Sequence, residues 1–256
     1  MAETRQLEKY LSDAHKILIF TGAGISTGSG IPDYRGPSGV WMTKQPVYYQ
    51  DFMASETARI EYWDYKLEGW ETFRNAKPNA VHEAIVDLEN ADKILVVVTQ
   101  NVDGLHTLAG TSHEKLVELH GTNGAVECQT CHKFSDPEAH FTLFKETGRA
   151  PTCEECGGYL KPATISFGQN LRESDLNRSV AAARQCDLVM ALGSSLTVNP
   201  AASLTLLAAE NGAPYIIINR GMTEHDDSPL LSLRLEGDVA EIFPPAVSAV
   251  LRRSKA

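Results

Sequence analysis

No part of the 256-residue chain is apolar for long. The longest purely aliphatic run is Ile94 to Val98, far short of the roughly 20 residues a membrane-crossing helix needs. Basic residues are in deficit, with 23 Lys and Arg against 33 Asp and Glu and a formal net charge of −10. That balance argues against a general affinity for nucleic acid or an anionic membrane, and suits a basic peptide better. The opening MAETRQLEKYLSDAHK lacks the basic-then-apolar plan of a secretion signal. Its Leu7, Tyr10 and Leu11 predict an amphipathic helix instead. Cysteine is scarce as well, five in all. Without a signal, thiols in such number predict a reducing, cytoplasmic setting, where metal binding outranks disulfides.

What the chain does have begins at Ile17-Leu18-Ile19-Phe20, which feeds directly into Gly22-Ala23-Gly24-Ile25-Ser26. A short buried strand followed by a glycine turn lets backbone N–H groups approach a pyrophosphate, with a helix start behind them. The dinucleotide fingerprint is incomplete: Thr27 stands at the third glycine position and Gly28 comes one residue late. No acidic residue closes a second strand about 20 residues on, where a dehydrogenase would hold its ribose. Alone, a Gly-x-Gly is weak evidence, and a structural turn without a ligand stays open.

Hydrophobic spacing predicts helices over 58–73, 79–90, 174–185 and 238 to about 252. Buried strands are expected over 93–98, 188–192 and 215–219, as β-branched or aliphatic runs. Alternating strands and helices predict an α/β fold built on a doubly wound, Rossmann-like parallel sheet. The run 93–98 ends in Thr99-Gln100-Asn101-Val102-Asp103-Gly104-Leu105-His106. Polar groups at the carboxyl end of a buried strand sit where open α/β sheets bind ligands. Asp103 alone would read as a helix cap, but three amide or acid groups within four positions go beyond one. Gly193-Ser194-Ser195 after the next strand suits phosphate or ribose, with an N-cap before a helix at Pro200 as the alternative. His120, closing the apolar Leu116–Leu119, reads on its own as structural more readily than catalytic.

The cysteines are more specific. Cys128-x-x-Cys131 and Cys153-x-x-Cys156, with residues 132–152 between them, have the spacing of a four-cysteine zinc site. Each pair puts two thiolates on one tight turn, and two turns complete a tetrahedron. With four thiolates no coordination position is left for water or substrate, so the expected ion is structural. Cys186 has no partner in sequence and reads as a small packed residue.

Taken in order, GAGIS (22–26), GIPDYRG (30–36), TQNVDGLH (99–106), HG (120–121) and GSSLTVNP (193–200) resemble the sirtuins, NAD-dependent protein deacylases. The likeness runs on through Ile218-Asn219 and Gly237-Asp238 and covers nearly the whole chain. It implies a Rossmann-like NAD-binding domain formed by 1–36, 79–121 and 166–256. A zinc-binding module over 122–165 and a helical insertion over 37–78, part of the small domain, complete the plan. It implies NAD as co-substrate, one structural zinc ion, and acylated-lysine proteins as partners, with no direct nucleic-acid or membrane partner. Acyl groups, acetyl foremost, would leave lysine with release of nicotinamide and O-acyl-ADP-ribose.

By the same resemblance His120 is the base and Asn101 sits beside the ribose. Val102 and Asp103 hold the nicotinamide amide, while Gln100 is on the ribose side. Asp33, Tyr34 and Arg35 belong to the loop covering the cofactor. Gly22, Ala23, Gly24, Thr27, Gly193, Ser194, Ser195, Asn219, Asp238 and Val239 complete the NAD contacts. Ile165-Ser166-Phe167-Gly168 would pair its backbone with the substrate peptide. The chain departs from the family pattern at Ser166, often aromatic, at Gln169, often glutamate, and at Arg220, often glutamate. The subgroup that removes acidic acyl groups carries Tyr-x-x-Arg in the helix before Pro78. Here the best match is Trp63-x-x-Lys66, so acetyl or a longer apolar acyl group is expected over succinyl. Protein ADP-ribosyl transfer, or a binding module without turnover, are the competing readings.

Overall fold

The computed structural model describes residues 2–34, 39 and 44–253. The chain opens with α1 (Ala2–Asp13) and β1 (Ile17–Thr21), followed by two short 3₁₀ turns through Ser29. Next come α2 (Tyr49–Ala54), α3 (Glu56–Asn75), α4 (Ala80–Asn90), β2 (Ile94–Thr99), α5 (Leu105–Ala109) and β3 (Leu116–Glu118). The small layer holds β4 (Gly121–Cys128), β5 (Phe134–Ser135), α6 (Pro137–Thr147) and β6 (Leu160–Thr164). The chain then returns through α7 (Glu173–Ala183), β7 (Leu188–Leu192), α8 (Ser203–Glu210), β8 (Tyr215–Asn219), β9 (Leu231–Glu236) and α9 (Val239–Arg253).

Six parallel strands form the main sheet in the order β3-β2-β1-β7-β8-β9. Strand periodicity explains its two cores. Ile17, Ile19, Val97, Met190 and Ile216 point to one face, where Leu7, Leu11, Ile85, Leu88, Phe243 and Val247 from α1, α4 and α9 cover them. Leu18, Phe20, Val96, Val98, Val189 and Ile217 point to the other, under Ala182, Leu204 and Ala208 of α7 and α8. Burying both faces requires continuous apolar strands, which is what these sequences supply. Lys93 is buried, and its Nζ donates to the carbonyls of Leu11, Ser12 and Ala14 at 3.0, 3.0 and 2.7 Å. It thereby closes the carbonyl end of α1.

The second layer is an antiparallel sheet in the order β5-β4-β6. Its core joins Val126, Cys128, Phe141, Phe144 and Leu160 to Phe52, Tyr62 and Trp63. Of the expected α3 stripe, Trp63 is fully buried while Ile60, Leu67 and Trp70 pack at the margin. Two expectations shift. The helix expected at Pro200 starts at Ser203, because residues 199–202 form a turn first. β9 was not expected, although Leu231, Leu233 and Leu235 alternate with Ser232, Arg234 and Glu236 as an edge strand should. Among the described residues no helix is long and apolar enough to cross a membrane.

Candidate active site

The strand order reverses between β1 and β7, and their carboxyl ends open the crevice where such sheets bind ligands. The two loops there touch. Gly24 N donates to Gly193 O at 2.9 Å, and a Cβ on Gly24 would lie 2.8 Å from that oxygen. A Cβ on Gly193, whose φ is +61°, would lie 2.6 Å from Ile25 N. The glycines that sequence reading tied to a close approach by pyrophosphate are thus also needed for loop-to-loop contact. A cavity of about 500 Å³ opens beside them.

Gly22, Ala23, Gly24, Asp33 and Tyr34 line this cavity from the β1 side. Gln100, Asn101, Val102 and His120 line it from β2 and β3, and Gly193, Ser194, Ser195 and Asn219 from β7 and β8. Asn101 is 5 % exposed. Its Nδ2 donates to Gly22 O at 3.1 Å and Ser26 Oγ at 3.2 Å, so the amide has one orientation. Gln100 Nε2 donates to Ser194 Oγ at 2.9 Å, tying the β2 end to the β7 loop. His120 Nδ1 lies 3.2 Å from Gln100 O. A ring nitrogen facing a carbonyl must carry the proton, which leaves Nε2 as the basic atom.

Four expected residues stand off the cavity wall. Asp103 is turned back, accepting from Ser26 Oγ at 2.7 Å and Leu105 N at 2.9 Å; burial raises its pKa against both hydrogen bonds. Thr27 Oγ1 donates to Gly24 O at 3.0 Å, bracing the turn. Asp238 pairs with Arg220 at 2.9 Å and accepts from Ala240 N at 2.9 Å, while Val239, the first residue of α9, is buried in the core. Arg35 lies outside the described residues. All four residues expected to meet the peptide, Ile165, Ser166, Phe167 and Gly168, line the cavity. Ile165 N donates to His120 O at 2.7 Å, fixing that edge to the histidine's own backbone.

In the small layer, the four sulfurs of Cys128, Cys131, Cys153 and Cys156 lie within 4.8 Å of one another. Cys128 Sγ is 3.5 Å from Cys156 Sγ, and Cys131 Sγ is 3.9 Å from Cys153 Sγ. Tetrahedral zinc with 2.3 Å bonds sets sulfurs about 3.8 Å apart, so the donor set fits a closed zinc site. A Cβ on Gly158 would meet Cys128 Sγ at 2.9 Å, so the knuckle requires that glycine.

The model of the Sir2 family matches residues 22–200. The chain belongs to the Sir2 family. An NAD-dependent protein deacetylase from Rhodopseudomonas palustris is 40% identical over 242 residues, covering 94% of this chain and 95% of that protein. An NAD-dependent protein deacylase from Archaeoglobus fulgidus is 35% identical over 251 residues, covering 98% and 97% of the two chains. Among solved structures, a Sir2 complex with a p53 peptide and NAD superposes with a TM-score of 0.86 at 31% identity, covering 98% of each chain. A Sir2 enzyme bound to a propionylated peptide gives 0.84 at 32% identity, covering 99% of each.

Within this Sir2 fold the structure also brings in residues that the motifs did not single out. The Trp63-x-x-Lys66 pairing does not occur: Trp63 is buried, with Nε1 donating to Leu160 O at 3.1 Å. Instead Tyr62, Tyr65 and Lys66 turn to the cavity. Lys66 Nζ donates to Asn123 Oδ1 at 3.0 Å and lies 5.5 Å from the Tyr62 ring centroid. Burial lowers its pKa. Helical spacing of i, i+3 and i+4 was the available signal, hidden by an aromatic-rich stretch that reads as core. Gln169 Oε1 accepts from Ser166 N at 3.1 Å, a turn-closing role that a glutamate could fill equally.

Proposed function

We propose that this Sir2 protein consumes NAD to remove acyl groups, acetyl among them, from lysine side chains of proteins. The observation that carries the proposal is one shared cavity holding His120, Asn101, the glycine turn and the Ile165–Gly168 edge. The cavity fits NAD. Beside the glycine turn its polar lining is backbone, hydroxyl and amide from Gly22, Ala23, Gly24, Gln100, Asn101, Ser194 and Ser195, as pyrophosphate and ribose contacts need, and it opens at the strand-order reversal. When bound, NAD supplies an electrophilic ribose carbon whose bond to nicotinamide breaks readily.

The chain's own residues then have distinct tasks. Ile165 to Gly168 offer backbone to an extended peptide, holding the acyl-lysine in register beside His120. Asn101, locked by Gly22 O and Ser26 Oγ, orients groups at the ribose without moving as the reaction proceeds. Asp33 and Tyr34 close the cavity on one side and limit water there. His120 Nε2 accepts a proton from a ribose hydroxyl, with Nδ1–H kept on Gln100 O throughout. Cys128, Cys131, Cys153 and Cys156 hold one zinc ion that braces the small layer. A reducing, cytoplasmic setting suits those thiols. The NAD-binding unit is formed by 1–36, 79–121 and 166–256, with the zinc module over 122–165 and the helical insertion over 37–78.

The test is an acylated peptide with NAD, followed by mass spectrometry. Nicotinamide, free lysine and O-acyl-ADP-ribose are expected; an ADP-ribosylated protein target instead would establish transfer as the activity. His120→Ala should lower kcat by about 10²–10⁴-fold, the usual worth of a positioned base. Unchanged turnover would remove His120 from the mechanism.

A further inference from the structure

Among the described residues, three buried side-chain atoms have no hydrogen-bond partner: His82 Nε2, His106 Nδ1 and Thr111 Oγ1. Their residues are 0, 2 and 4 % exposed. They also belong together. The His82 and His106 rings meet edge to face with centroids 5.0 Å apart, and Thr111 N donates to His106 O at 3.0 Å. A buried polar atom without a partner is costly, and three on adjoining residues call for a physical reason.

The neighbouring hydrogen bonds fix where each ring proton is. Asn79 N donates to His82 Nδ1 at 3.3 Å, so that nitrogen is bare and the His82 proton is on Nε2. Thr21 Oγ1 spends its only proton on Thr99 Oγ1 at 2.8 Å. It can therefore only accept from His106 Nε2, 3.0 Å away, which leaves His106 Nδ1 bare. Burial keeps both rings neutral, with His82 pushed down to about 4 and His106 to about 3. The orphans are thus complementary: one N–H donor, one bare nitrogen and one hydroxyl. Three hydrogen bonds to one water would satisfy all of them, the usual complement of a buried water.

We propose that one buried water joins His82 Nε2–H, His106 Nδ1 and the Thr111 hydroxyl, making His106 a positioning residue for Asn101. The route is continuous. His106 donates to Thr21, Thr21 to Thr99, and Thr99 Oγ1 accepts from Asn101 N at 3.0 Å. From the other side, Asn79 Nδ2 donates to Ile25 O at 2.8 Å and Ser29 Oγ at 2.9 Å in the segment after the glycine turn. The water therefore couples the loop after β1 to the end of β2, the two walls between which the cofactor is held. Its functional part rests on the role of Asn101 given above.

Long-range proton–nitrogen NMR of the labelled protein reads the tautomers directly, without any turnover. Nε2–H on both rings and a bare Nδ1 on His106 are expected; a proton on His106 Nδ1 overturns the proposal. A high-resolution crystal structure should show density touching the three orphaned atoms, and a dry gap there also overturns it. The positioning role is tested by a double-mutant cycle with Asn101→Ala. His106→Leu should lower kcat about tenfold in the wild type with peptide KM unchanged, yet less than about threefold when Asn101 is already alanine. His106→Gln, which keeps a donor for Thr21, should recover most of the loss. Equal effects in both backgrounds would show a merely structural residue. If the leucine variant does not fold, Thr21→Val, which removes the hydroxyl between His106 and Thr99, is put through the same cycle with the same expected outcomes. Absence of deacylation in the wild type would sink the functional reading while leaving the tautomers and the water to be judged on their own.

Discussion

Lys66 illustrates how one side chain can alter a substrate preference without touching the chemistry. Its ammonium lines the cavity beside Tyr62 and Tyr65, and burial already disfavours its charge. A carboxylate at the end of an acyl chain would relieve that cost, whereas an acetyl group cannot. Lys66→Met should therefore reduce the succinyl-to-acetyl ratio of kcat/KM by about tenfold, roughly 1.4 kcal/mol. An unchanged ratio would mean that Lys66 does not meet the acyl terminus. His106 gives a residue-scale prediction for stability. Folded, it stays neutral down to about 3; unfolded, it takes up a proton near its ordinary 6.5. Its contribution is fully present above pH 6.5 and is lost as pH falls from there toward 3. While it is being lost, each pH unit costs about 1.4 kcal/mol. His106→Gln removes this dependence, so urea midpoints measured from neutral pH downward should decline less steeply than in the wild type. Parallel declines would contradict it. Both residues were only partly legible in sequence: Lys66 was offered as the second member of Trp63-x-x-Lys66, and His106 sat in a motif whose Gln100, Asn101 and Val102 face the cavity.

At the scale of elements, the strongly periodic pieces were legible and the short or ligated ones were not. β1, β2, β7 and β8 declare themselves as apolar runs buried on both faces, and α4 and α9 by a clear apolar stripe. α6 was missed because metal-site spacing, not periodicity, dominates its neighbourhood; Asp136 capping Glu138 N and Pro137 at its first position were the readable signs. What no single element revealed is the contact between the β1 and β7 loops. It depends on strand order, and Gly24 and Gly193 are 169 positions apart in a chain whose adjacency only the sheet creates. Gly193→Ala should destabilise by at least ~2 kcal/mol, combining a left-handed φ with a backbone clash. Gly30, at φ +85° with nothing within 4 Å of its Cβ position, is the control and should lose only the conformational part, ~1 kcal/mol. Equal urea midpoints for the two variants would dismiss the loop-contact argument.

Across the whole molecule, the zinc layer and the sheet are joined by two adjacent strands. β4 begins immediately after His120, and β6 ends immediately before Ile165. A zinc ion held by Cys128, Cys131, Cys153 and Cys156 would brace the far end of the ladder whose near end carries His120 and Ile165. Chelation should release the small layer, seen as new proteolytic cuts between 129 and 158 and a rise in peptide KM, while NAD binding to the sheet persists. Full activity with zinc shown absent would contradict this. Gly121 and Thr164 are paired across that ladder, so the chain leaves and re-enters at neighbouring points. Topologically, everything between them is a loop, and a loop with adjoining ends can be lengthened, trimmed or exchanged without rerouting the chain on either side. The small layer beside Ile165 is therefore the part whose length can change with least effect on the chain's course, whereas the β1–β7 junction, pinned by backbone contact, is the part least able to.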